Sequence, residues 1–138
     1  MRILYNINSV NCDGAYSSKS KVSEFRVMDT ETGNIISHKI YNGGTNNIAE
    51  FLAVCQAMSY LKHKGDKSKV IYTDSVTALC WVKTKNINTI YDLEADKKLS
   101  KYVESALEFL SGENLREYNI RKWDTRNWGE VPSDFGRK

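Results

Sequence analysis

The chain has 138 residues, 41% hydrophobic and 27% charged, with a net charge of +3; that is room for one domain around one core, and it excludes a disordered or fibrous composition. No apolar run reaches the roughly 18 residues of a membrane span, and residues 1–6 lack the apolar centre of a leader and read as part of a strand. Cys12, Cys55 and Cys80 are odd in number and scattered, which excludes a disulfide framework or a paired metal-binding spacing and points to reduced thiols in the cytoplasm.

Residues 2–12 alternate as a first strand that ends at Cys12-Asp13-Gly14. An Asp-Gly pair often marks only a turn. Residues 15–21 read as a polar loop, and residues 23–28 and 34–41 as a hairpin about Gly33. Residues 48–61 form a helix, since Ile48, Phe51, Leu52, Cys55, Met58 and Leu61 recur at steps of three and four. Thr45, Asn46 or Asn47 caps it, and Glu50 falls in its first turn, where a carboxylate also suits the helix dipole.

Residues 70–72 are a short buried strand, followed by Asp74-Ser75 and a helical pattern through Leu79 and Val82. Asp74 or Ser75 can serve as the helix cap. Residues 83–88 are a basic connection, residues 93–110 a long amphipathic helix and residues 115–123 the last strand. Much of the tail reads as a short terminal helix, on which Glu130 and Asp134 would lie one turn apart.

Four carboxylates thus stand at element junctions: Asp13, Glu50, Asp74 and Asp134. A mixed sheet with the first strand central would bring the Asp13 and Asp74 strand ends together, with Glu50 facing them from the helix behind. Ligands gather beyond the carboxyl ends of strands in open α/β sheets. Carboxylates so gathered repel unless a cation neutralises them, and hard oxygen donors suit Mg²⁺ or Mn²⁺. Two such ions about 4 Å apart activate a water and stabilise the leaving oxygen of a phosphodiester. His38 and His63 lie outside every motif and are expected to face solvent.

The order Asp13-Gly14, Thr45-Asn46-Asn47 with Glu50, Thr73-Asp74-Ser75 and a late Asp134 resembles ribonuclease H of type I. The tail from Lys122-Trp123 through Trp128-Gly129-Glu130 to Asp134-Phe135-Gly136-Arg137-Lys138 resembles one bacterial branch of that family. The resemblance runs over nearly the whole chain. It implies a single catalytic domain over residues 1–138, with an α/β fold whose mixed five-stranded sheet has the order 3-2-1-4-5 and helices on both faces. It implies hydrolysis of the RNA strand of RNA–DNA hybrids by a monomeric enzyme with two Mg²⁺ ions, replaceable by Mn²⁺. Asp13, Glu50, Asp74 and Asp134 would be the ligands, Asp13 bridging both ions, and Glu130 an auxiliary carboxylate. Gly14, Asn46 and Asn47 would meet the RNA, Thr45, Asn47 and Thr89 a phosphate of the DNA strand, and Trp81 a DNA sugar. Lys83, Lys85, Lys122 and Arg126 are further candidates for phosphate contacts, and Lys138 for reaching the scissile region. Two departures bear on substrate contacts: residues 16–20 lack a Gly-rich or Asn-containing run, and Val76 stands where a polar side chain often touches RNA. Many members carry a His in a loop shortly before the last Asp; no His lies in that region here, which fits the branch with the Trp-Gly-Glu tail.

Overall fold

The central strand, β1 (Ser9–Ser17), is buried on both faces from residue 9 to residue 15, although Ser9, Asn11 and Asp13 there are polar or charged. It pairs antiparallel with β2 (Val22–Asp29), which pairs antiparallel with β3 (Ile35–Asn42). On its other side it pairs parallel with β4 (Val70–Thr73), and β4 pairs parallel with β5 (Asn119–Lys122). The sheet order is therefore β3-β2-β1-β4-β5, the order expected. The computed structural model describes residues 5–136.

Among the described residues four α-helices complete the order: α1 (Asn46–His63), α2 (Val76–Thr84), α3 (Lys97–Ser111) and the single-turn α4 (Thr125–Trp128). α1, α2 and α3 pack over one face, on Val10, Cys12, Phe25, Val27 and Ile71 of the strands. The other face carries a smaller cluster of Val70, Tyr72, Trp123 and Val131, with Tyr5 and Trp128 against it. Rings of Tyr5, Tyr72 and Trp128 lie 4.7, 5.3 and 5.0 Å from that of Trp123. This aromatic stack fastens the C-terminal segment under the sheet. Among the described residues no helix is long and apolar enough to cross a membrane.

Several boundaries differ from the sequence expectation, each for a local reason. Residues 5–8 precede the first strand, because Asn6 turns the chain by accepting from the Asn8 N–H at 2.9 Å; residues 2–4 lie outside the described residues. β1 then runs straight through Asp13-Gly14 and takes in residues 15–17 of the expected loop. Gly14 is not a turn glycine: a Cβ there would fall on the backbone of Ala49 and Glu50, so α1 can cross β1 only where the side chain is missing. The turn comes later, with Lys21 in the left-handed region at φ +61° and its N–H on Ser17 O, at a residue type that does not announce it.

α3 begins at Lys97 rather than Leu93, since Asp96 caps it by accepting from Leu99 N and is itself held by the Tyr91 hydroxyl at 2.7 Å. Residues 115–117 form a 3-10 turn capped by Asn114, which leaves only residues 119–122 for the last strand. In the tail, helix is confined to Thr125–Trp128, and Gly129 at φ +80° ends it. Glu130 and Asp134 therefore do not share a helix face.

Candidate active site

β1 and β4 run side by side until Cys12 pairs with Thr73. β4 stops there and β1 continues, so Asp13 and Asp74 each stand one residue beyond the last pair. Val10 and Cys12 point into the core under the helices, and the alternation of a strand sends Asp13 to the opposite face. The tail crosses that face. Its Phe135 N–H donates to Asp13 Oδ2 at 3.0 Å, and Asp134 arrives with it. One carboxylate oxygen from each of Asp13, Asp74 and Asp134 lies within 4.8 Å of the others.

Asp74 is not the cap of α2. Ser75 performs that task, its hydroxyl accepting from Ala78 N at 3.0 Å. Nor is Glu50 in the first turn of α1. The helix starts at Asn46, with Thr45 as its cap accepting from Ile48 N at 3.1 Å, and its first turn holds no acid. Glu50 is buried on the far side of the sheet rim, where its carboxylate accepts from the Gly14 N–H. It stands outside the 4.8 Å group of three but lines the same cleft.

That cleft has a volume of about 640 Å³. Asn46, Asn47, Glu50, Asp74, Glu130 and Asp134 line it, with Ser75, Val76, Thr77 and Gly136. Its wall is strongly anionic. Burial first, and then the carboxylates of Glu50, Asp13 and Asp74, hold the Cys12 thiol well above its ordinary range. The donors are all hard oxygens, close enough to share a small divalent cation and mutually repulsive without one.

The other expected residues are placed as follows. Asn46 and Asn47 are exposed at the start of α1, and Asn46 Oδ1 already accepts from Tyr16 N at 2.6 Å. Thr89 lies between α2 and α3, its hydroxyl accepting from Tyr91 N, while the Tyr91 ring lies against Gly43, two residues before Thr45. Trp81 is only 6% exposed and packs edge-on against Phe51, so most of its surface is core rather than groove. Lys85 and Lys122 give their ammonium groups to the carbonyls of Glu113 and Trp123, whereas Lys83 and Arg126 face solvent. Val76 is 68% exposed at the cleft edge. Lys138 lies outside the described residues. His63 faces solvent; His38 does too, but it also pairs with Glu24 at 2.8 Å and lies 5.8 Å from the Phe135 ring.

Sequence reasoning passed over the residues that seat the tail. Asn11, fully buried, accepts from Ser133 N at 2.9 Å. Arg26 donates to the carbonyls of Ser133 and Asp134 at 2.7 and 2.9 Å. A polar residue at every second position of a buried strand is a visible signal for such a role in the case of Asn11. Nothing local marks Arg26.

Three solved structures are similar to this chain. RNase H1 from the halophilic archaeon Halobacterium salinarum NRC-1 is 19% identical, with 83% of each chain covered and a TM-score of 0.49. An N-terminal RNase H domain from Mycobacterium tuberculosis, solved as a fusion with maltose binding protein, is 14% identical over 83% of this chain and 84% of that one, with a TM-score of 0.46. LC11-RNase H1, isolated from compost by a metagenomic approach, is 19% identical over 87% of this chain and 88% of that one, at a TM-score of 0.52. At that identity the last likeness speaks for the fold. The profile of the RNase H family matches residues 6–122, from the approach to the central strand to the end of the last one. With most of its length matched in this way, the chain belongs to the RNase H family.

Proposed function

We propose that this protein is a metal-dependent endoribonuclease that hydrolyses the RNA strand of RNA–DNA hybrids and leaves 5′-phosphate and 3′-hydroxyl ends. The observation that carries the proposal is the gathering of Asp13, Asp74 and Asp134 within 4.8 Å in a chain of the RNase H family. Asp13, Glu50, Asp74 and Asp134 would hold two Mg²⁺ ions, or Mn²⁺ in their place, since an all-oxygen donor set suits hard cations. Such ions, when bound, make a water more acidic and stabilise the leaving oxygen of a phosphodiester.

The chain's own residues do the rest. The Phe135 N–H fixes the rotamer of Asp13, and the Gly14 N–H fixes that of Glu50, so neither carboxylate has to be ordered when substrate arrives. Asn46 and Asn47 border the cleft where, with the backbone beside Gly14, they would read a ribose 2′-hydroxyl; that group both donates and accepts, which separates RNA from DNA. Thr45 and Asn47, with Thr89 nearby, take a phosphate of the DNA strand. Glu130, exposed at the rim, assists the reaction or product release. We place the protein in the bacterial branch with the Trp-Gly-Glu tail, on the strength of residues 122–138, and read it as a cytoplasmic monomer.

The test is cleavage of a labelled RNA–DNA hybrid with Mg²⁺, beside the same RNA as a single strand and as an RNA duplex, each repeated in EDTA. Hybrid-only, EDTA-sensitive cutting of the RNA strand is expected. Hybrid binding without cutting in Mg²⁺ or Mn²⁺ would make the protein a binding module instead.

A further inference from the structure

The segment that delivers Asp134 has little regular structure of its own. After α4 the chain turns at Gly129 and runs to Gly136 without entering another helix or strand. A carboxylate on such a segment is only as well placed as the backbone under it. Here that backbone is gripped from the sheet. Ser133 N donates to Asn11 Oδ1 and Phe135 N to Asp13 Oδ2. Between them, Arg26 Nε donates to Ser133 O and Arg26 Nη2 to Asp134 O. The same guanidinium lies 4.3 Å from the centre of the Phe135 ring. Arg26 thus touches the residue before Asp134, Asp134 itself and the residue after it, while the Asp134 carboxylate accepts from Gly136 N.

We propose that Arg26 is a positioning residue for Asp134. By holding the backbone on both sides of that carboxylate it sets its distance from Asp13 and Asp74, and so sets the affinity of the site for a divalent cation. The inference rests on the reading of Asp134 as a metal ligand. Two successive carbonyls and a flanking ring suit the planar fork of arginine, which can donate twice and stack at once; lysine can do one of these at a time. Charge alone would act in the opposite direction. Arg26 stands directly across from Asp13 on the neighbouring strand, and a cation placed there opposes the binding of another. Removing a mere charge would tighten metal binding, whereas removing a clamp loosens it.

The experiment is calorimetric titration of Mn²⁺ into the full chain, comparing the parent with Arg26→Ala, Arg26→Lys, Asp134→Asn and the double variant Arg26→Ala/Asp134→Asn. Arg26→Ala should bind Mn²⁺ about 10-fold more weakly, the scale found for outer residues that orient metal ligands. Arg26→Lys should fall between it and the parent. In the Asp134→Asn background Arg26→Ala should cost nothing more. At saturating metal the KM for hybrid should be that of the parent. Circular dichroism melting shows which variants are folded; should Arg26→Ala not fold, Arg26→Lys and the further double variant Arg26→Lys/Asp134→Asn decide. Parental or tighter Mn²⁺ binding by a folded Arg26 variant overturns the inference, and so does an undiminished loss in the Asp134→Asn background. If Asp134→Asn alone binds Mn²⁺ like the parent, the ligand assignment itself has failed and the inference falls with it.

Discussion

Asp13 and Arg26 face each other across β1 and β2 and grip one three-residue stretch of the C-terminal tail, Arg26 at Ser133 and Asp134 and Asp13 at Phe135. One is an acid of the three-carboxylate cluster and the other a cation beside it, yet their link runs through the backbone of Ser133, Asp134 and Phe135. The site is therefore closed by a segment more than 100 residues away in sequence from the strands that seat it.

Asp74→Asn keeps the shape of the side chain and removes its charge. We expect cleavage of the hybrid to disappear in Mg²⁺ and in Mn²⁺, with hybrid affinity in EDTA unchanged. Gel-shift and cleavage assays on one preparation check both halves; retained cleavage would remove Asp74 from the ligand set.

Gly14→Ala should be poorly tolerated. The added Cβ meets backbone of Ala49 and Glu50 rather than a side chain that can swing away. Overpacking of this kind costs about 1–3 kcal/mol. Since Glu50 is held by the Gly14 N–H, activity should fall further than urea-measured stability alone explains. A variant with parental stability and activity would refute the close-approach account.

Asn11→Ala tests the buried end of the tail clamp. Asn11 is fully buried and bonds both Ser133 N and the Thr30 hydroxyl. Removing the acceptor of Ser133 N, while the Thr30 hydroxyl keeps its bond from Ser9, should cost roughly 1–3 kcal/mol. Equilibrium unfolding in urea measures it. Asn11→Asp, which keeps the acceptor for Ser133 N, should lose less of that bond but set a new charge beside Asp13.

Glu113 offers a pH test away from the site. Its carboxylate accepts from Lys62 and from the Tyr118 hydroxyl, each at 2.6 Å. The Lys62 bond first, and then the Tyr118 bond, hold it below its ordinary value near 4.5. A lowered carboxylate stabilises the fold above that ordinary value and ceases to as pH drops through the folded value. Glu113→Gln should therefore cost about 1–3 kcal/mol near neutrality. The gap to the parent should narrow as the pH falls below that ordinary value. Urea melts across that range decide; a gap that does not change with pH would contradict the assignment.

Hybrid binding should weaken steeply with salt, log affinity falling linearly with log salt concentration, because phosphate contacts release counterions. Fluorescence anisotropy with a labelled hybrid in EDTA measures the slope. A flat response between low and moderate salt would mean that phosphates contribute little.

The elements that were legible are those whose signals are local. The apolar spacing from Ile48 to Leu61 announced α1, and the short β-prone run before Asp74 announced β4; both stand where expected, within two residues. Asp13-Gly14 misled because a glycine needed for a crossing helix has the same letters as one needed for a turn. The start of α3 misled because apolar periodicity extends to Leu93, while the cap and its Tyr91 partner set the boundary at Asp96. Trp123 and Trp128 were visible as a motif, but their work, stacking with Tyr5 and Tyr72 to fasten the tail, depends on residues far apart in the chain.

By itself, then, the sequence determined the order of elements and marked four carboxylates at element junctions, because periodicity, caps and short motifs are written within a few residues of where they act. Only the tertiary structure decided which oxygens come within 4.8 Å, that Glu50 stands beside that group rather than in it, and that Arg26 and Asn11 bond the backbone of Ser133 and Asp134. Those are relations across the register of a sheet and between its two faces. No stretch of chain encodes them alone, since each exists only once β1, β4 and the tail have been brought together by the burial of the two cores on either side.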